Sequence, residues 1–156
     1  MLSKESLDLV KREVAKYPPE RKSSAVMAAL RIAQEEHGWL AVPLMDYVAE
    51  LLGMRPIQVY EVASFYSMYD LKPVGKHKVS VCTNISCMLC GSDAIVKHLE
   101  LRLGVKLGET TPDKKFTLKE VECLAACGGA PMFQIDKTYY ENLTPDKIDR
   151  ILEGLK

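Results

Sequence analysis

Long apolar runs are missing from this chain. No stretch approaches the about 20 residues of a membrane span, so the chain is expected to be soluble, with no segment crossing a bilayer. An excess of charge is missing too. Lys and Arg number 21 and so do Asp and Glu, and no basic patch dominates, so nucleic-acid binding is not expected. The start, Met1-Leu2-Ser3-Lys4-Glu5-Ser6, lacks a signal-peptide core and is too acidic for a transit peptide. A cytoplasmic protein is therefore expected. Repeats and low-complexity tracts are absent. So are paired carboxylates, a nucleophile motif and a phosphate-binding glycine loop, so the chain is expected to carry no NADH or flavin site of its own. The three histidines, His37, His77 and His98, all lie outside the cysteine loops, which speaks against a Rieske-like His ligation. An even cysteine count is also lacking. Disulfides cannot use all five, and in a reducing compartment clustered cysteines point to metal or redox chemistry.

Those cysteines are what is there, and all lie between Val79 and Met132. One group is Cys82-Thr83-Asn84-Ile85-Ser86-Cys87-Met88-Leu89-Cys90. The other is Glu122-Cys123-Leu124-Ala125-Ala126-Cys127-Gly128-Gly129. The sequence around them changes period. Upstream, apolar residues recur at helical spacing in four stretches: Ser3 to Tyr17, Glu20 to His37, Pro43 to Gly53 and Pro56 to Tyr69. Proline and glycine punctuate them, which suggests a small helical bundle over residues 1–72. Lys72-Pro73-Val74-Gly75-Lys76 reads as a linker. Downstream, His77–Cys82, Phe116–Val121 and Pro131–Asp136 read as strands, with Thr138–Tyr140 pairing back across a turn. Helices are expected from about Cys87 or Leu89 to Leu103, and after the Thr144-Pro145 cap. Strand, helix, three strands and helix make residues 76–156 a compact α/β sandwich of thioredoxin type.

Three chemistries compete for the thiols. A [2Fe–2S] cluster fits Cys82, Cys87, Cys123 and Cys127, two pairs on loops that each follow a strand. Backbone N–H donors would come from the helix start after Cys87 and from Gly128-Gly129. Thiol–disulfide exchange fits Cys87 and Cys90, a C-x-x-C at a helix start, but leaves the other three unexplained. Structural zinc fits four thiolates but usually takes shorter knuckles. The alternative cluster set of Cys82, Cys87 and Cys90 with one distant cysteine leaves a matched partner idle. Cys90 is then expected as a buried, inert thiol about one turn into the helix. The aromatic residues Phe65, Tyr66 and Tyr69 are expected mainly in the core, with an interface anchor as the other reading.

The motifs His37-Gly38-Trp39-Leu40, Glu61-Val62-Ala63-Ser64-Phe65-Tyr66, Pro73-Val74-Gly75-Lys76, Val81-Cys82 with Cys87, Glu122-Cys123-Leu124 with Ala126-Cys127, and Ala130-Pro131 carry a resemblance over nearly the whole length. The chain resembles the E-subunit family of bacterial NADH-quinone oxidoreductase, respiratory complex I, with the mitochondrial flavoprotein subunit 2 as a relative. The resemblance implies a helical N-terminal part that docks the subunit, and a thioredoxin-like [2Fe–2S] ferredoxin domain. It implies cluster ligation by Cys82, Cys87, Cys123 and Cys127. It also implies one-electron exchange with a partner that binds FMN and oxidises NADH, beside further iron–sulfur subunits on the cytoplasmic face of the inner membrane. Similar subunits serve NAD-linked hydrogenases and formate dehydrogenases. Two departures stand out. The family usually has glycine where Ala125 stands, and generally has no cysteine at position 90.

Overall fold

Proline and glycine set the helix limits in the first half of the chain. The computed structural model describes residues 1–155, which divide into units Met1–Pro73 and Val74 onward. Helix α1 spans Lys4–Val14, and the Ser3 hydroxyl caps it by accepting from the Ser6 N–H at 3.2 Å. The second helix, expected from Glu20, does not open there: Pro19–Ala25 form a 3-10 turn with Arg21 out of helical conformation. The run Pro19-Glu20-Arg21-Lys22-Ser23-Ser24 offers no apolar face to pack, so α-helix begins only at Val26. Helices α2 (Val26–His37) and α3 (Val42–Leu52) both end on left-handed glycines, Gly38 at φ 80° and Gly53 at φ 65°.

Helix α4 spans Pro56–Phe65 and stops short of the expected Tyr69. Longer-range bonds outcompete another helical turn. Tyr69 is buried, and its hydroxyl donates to the Met27 carbonyl at 2.9 Å. The Gln34 side-chain amide donates to the Met68 carbonyl at 3.0 Å, and its oxygen accepts from the Asp70 N–H at 2.6 Å. Only Tyr69 of the three aromatics therefore joins the core. Phe65 is 79% exposed and Tyr66 40%, against the core packing expected for them. The unit closes around Ala29, Leu30, Leu40, Val48 and Val59.

The second unit is built on four strands: β1 (His77–Cys82), β2 (Phe116–Val121), β3 (Phe133–Ile135) and β4 (Thr138–Tyr140). Their order across the sheet is β2-β1-β3-β4. Strands β1 and β2 run parallel, with His77 opposite Phe116 and Cys82 opposite Val121. Strand β3 pairs antiparallel with both β1 and β4. Two helices follow β1, α5 (Ile85–Leu89) and α6 (Ser92–Leu103), and α7 (Pro145–Gly154) closes the unit. Leu99 of α6 and Ile148 of α7 pack with Val79, Val81, Leu118 and Phe133 of the sheet. Among the described residues, no helix is long and apolar enough to cross a membrane.

The expected linker is tied down at its far end. The Gly75 N–H donates to Thr117 Oγ1 at 2.6 Å, and the Lys76 N–H to the Lys114 carbonyl at 2.9 Å. A Cβ on Gly75 would sit 2.8 Å from the Phe116 carbonyl carbon and 3.0 Å from its nitrogen. Those atoms belong to a strand backbone and cannot swing aside. Gly75→Ala should therefore cost about 1–3 kcal/mol by overpacking, read as a lower urea midpoint. Gly154→Ala, where a Cβ meets nothing within 4 Å, is the matched control and should not fall.

Candidate metal centre

Parallel pairing decides where the cysteines go. Because β1 and β2 point the same way and end in register at Cys82 and Val121, the loops after them leave from one edge of the sheet. The loops are bonded together there. The Thr83 N–H donates to the Val121 carbonyl at 3.3 Å, and the Thr83 hydroxyl to Glu120 Oε1 at 2.7 Å. The Cys82 thiol points to the Glu122 carbonyl at 3.8 Å, and the Cys82 N–H donates to the Met132 carbonyl at 3.2 Å. Cys82, Cys87 and Met132 form a small buried cluster of their own, lined by Leu124, Ala126 and Ala130.

The thiols sense one another. Burial first, then the hydrogen bond and charge of Cys82, push the Cys87 thiol up to about 11; Cys127 pushes the same way, and the Met132 N–H pulls it down. Burial disfavours the Cys87 thiolate, and a cation bound to that sulfur would offset the cost. The four thiols of the two loops that could serve as donors are one buried pair (Cys82, Cys87) and one exposed pair (Cys123, Cys127). Among the described residues, no three His, Cys, Asp or Glu side chains gather tightly enough for a single ion. A binuclear cluster asks for less, since each iron takes only two of the sulfurs.

Several expectations about this region change. The helix after Cys87 is not continuous: α5 ends at Leu89 and Gly91 is left-handed at φ 92° before α6 begins. A glycine inside a helical pattern is the available signal. Cys90 therefore caps the end of α5 and is exposed, a correction to the buried thiol expected inside a longer helix. Helix α5 starts before Cys87, at Ile85, whose N–H goes to Asn84 Oδ1 at 2.9 Å. The donors to sulfur are loop amides instead. The Met132 N–H serves Cys87, and the Ala125 N–H reaches Cys123 Sγ at 3.2 Å. Of the two glycines expected to supply amides, Gly129 gives its N–H to the Ala126 carbonyl at 3.0 Å. It is glycine for another reason: a Cβ would lie 2.5 Å from the Cβ of Glu141. The histidines pair elsewhere, His77 with Asp136 at 2.8 Å and His98 with Asp149 at 3.0 Å.

The family model described as thioredoxin-like [2Fe-2S] ferredoxin matches residues 10–156. The chain belongs to that family. A thioredoxin-like [2Fe–2S] ferredoxin carries a [2Fe–2S] cluster, and the paired thiols and loop amides described above fit such a group. The E subunit of NADH-quinone oxidoreductase from Rickettsia conorii is 51% identical over 98% of this chain and 92% of its own length. Its counterpart from Rickettsia felis is 50% identical over 96% of this chain and 90% of its own length. Among solved structures, an NAD+-reducing [NiFe]-hydrogenase in its air-oxidized state superposes with a TM-score of 0.70. It shares 18% identity, and the match covers 81% of this chain and 22% of that one. At that identity the likeness speaks for the fold alone.

Proposed function

We propose that this ferredoxin is the electron-carrying subunit of an NADH:quinone oxidoreductase, and that Cys82, Cys87, Cys123 and Cys127 hold its cluster. The observation that supports the ligand set is the shared edge: β1 and β2 run parallel and end in register, so both cysteine loops leave from the same end of the sheet. A bound [2Fe–2S] cluster takes up and returns a single electron. The chain's own part is to hold it and set its surroundings. Cys82 and Cys87 lie in a dry pocket against Met132, and the amides of Ala125 and Met132 offset negative charge at sulfur. The exposed pair, Cys123 and Cys127, is the side from which an electron would cross.

The role in the complex rests on the two Rickettsia relatives. The partner would be a subunit that binds flavin and NADH, beside further iron–sulfur subunits, at the cytoplasmic face of the inner membrane. Residues 1–72 would serve as the docking part and 76–156 as the cluster-bearing part. Phe65 and Tyr66, edge to face with centroids 5.1 Å apart and both exposed, are of the type that anchors an interface. Thiol exchange at Cys87 and Cys90 is disfavoured by the same geometry: Cys87 is 1% exposed and its thiol is raised to about 11, so little thiolate forms at neutral pH.

The test is spectroscopy on protein isolated from native membranes together with its neighbours. Visible absorption, a reduced-state [2Fe–2S] EPR signal and a co-purifying flavoprotein are expected. A colourless, EPR-silent protein containing zinc would overturn the proposal.

A further inference from the structure

The loop between the last two cysteines contains a backbone conformation that alanine rarely adopts. Ala125 has φ 57°, in the left-handed region where a Cβ crowds the following carbonyl. The residue is not glycine, so the turn is held against a local cost. The same turn carries a hydrogen bond to sulfur. The Ala125 N–H donates to Cys123 Sγ two residues earlier, at 3.2 Å, and the positive φ then turns the chain that follows away toward Cys127. Cys123 is exposed, so without that amide its sulfur would face water and whatever docks on it. Leu124 and Ala126 on either side pack against the buried group of Cys82, Cys87 and Met132. That packing anchors the loop at both flanks and leaves residue 125 as the point that must turn.

We propose that Ala125 is a positioning residue that sets the reduction potential of the centre, through the hydrogen bond its backbone N–H makes to Cys123 Sγ. The inference rests on the reading of Cys123 as a ligand and deepens it. An N–H aimed at a ligating sulfur withdraws electron density and favours the form with one more negative charge. Reduction adds that charge, so the bond holds the potential up. The side chain of residue 125 takes no part beyond limiting how far the backbone can relax.

The experiment compares three full-length proteins by EPR-monitored dithionite titration. Replacing Ala125 by L-lactate, which turns the amide into an ester, removes the N–H while keeping the methyl group. The midpoint potential should fall, with the absorption and EPR signals retained. Ala125→Gly keeps the N–H and removes the crowding. Its midpoint should match that of the wild type, and its apo form should be the more heat-resistant. As a measurement needing no ester, reduced wild-type protein grown on 15N-alanine should show a nitrogen coupling that disappears in Ala125→Gly. An ester protein with intact signals and an unmoved midpoint would overturn the inference and leave the ligand set standing. Absence of that 15N coupling would overturn it in the same way. A signal that survives in Cys123→Ala would instead defeat the ligand reading itself.

Discussion

Cys82→Ala and Cys127→Ala should each lower cluster retention by more than about 100-fold, since even neighbours of metal ligands are worth 10–100-fold. Iron content and visible absorption would fall to background in both. The two should then differ in what they leave behind. Cys82 is buried with Cys87 and Met132, so trimming it to alanine opens a void in a packed region, and the apo protein should lose stability as well. Cys127 is exposed, so its alanine variant should fold like the wild-type apo chain. Cys90→Ser is the counterpart. Cys90 sits at the exposed end of α5, outside the buried pair, and its replacement should leave iron content and EPR line shape unchanged. Iron retained in Cys82→Ala and lost in Cys90→Ser would reassign the ligand set. Iron analysis with absorption spectra on the three variants decides it.

That contrast between Cys82 and Cys90 shows what the sequence makes legible. Strand limits at His77, Cys82, Phe116 and Val121 follow from plain alternation of polar and apolar residues, and the structure reproduces them. Helix ends at Gly38, Gly53 and Gly104 are equally readable, because each glycine takes the left-handed cap that other residues avoid. Gly91 obeys the same rule, but the apolar spacing from Leu89 onward masks it. That masking is what places Cys90 in a core, when it occupies a solvated corner. The end of α4 is not readable locally at all. It is set by Gln34 reaching across to Met68 and Asp70, a contact that no window around residue 65 contains. At the candidate site, cysteine side chains announce themselves by type and spacing, whereas the amides of Ala125 and Met132 have no side-chain signature. Only the family's usual glycine at position 125 hints that a left-handed turn is required there.

Phe133→Ala should cost about 3–5 kcal/mol, the range for emptying a buried aromatic site. Against a total of roughly 5–15 kcal/mol for a folded domain, that is a large share. Phe133 is 0% exposed, pairs in register with Val81 of β1 and Tyr140 of β4, and lies 5.6 Å from the Tyr140 ring. Strand β3 is only Phe133–Ile135 long, so few other contacts can hold it once the ring is gone. The consequence should reach the metal centre through the next residue back. The Met132 carbonyl accepts from the Cys82 N–H at 3.2 Å, and its own N–H serves Cys87. Loosening β3 therefore loosens the wall behind the buried cysteines. Phe133→Leu keeps much of the volume and should lose less. In the holo protein a bound cluster adds its binding energy to the folded side, so the loss is to be measured in the apo form by urea denaturation. Bleaching of the visible band on heating is the matching holo readout, and it should come earlier in Phe133→Ala. The Met1–Pro73 core contains no part of this site, so hydrogen exchange at its slowest amides should change little. A drop below about 1 kcal/mol, with bleaching unchanged, would mean that β3 is held by its ladder and not by this ring.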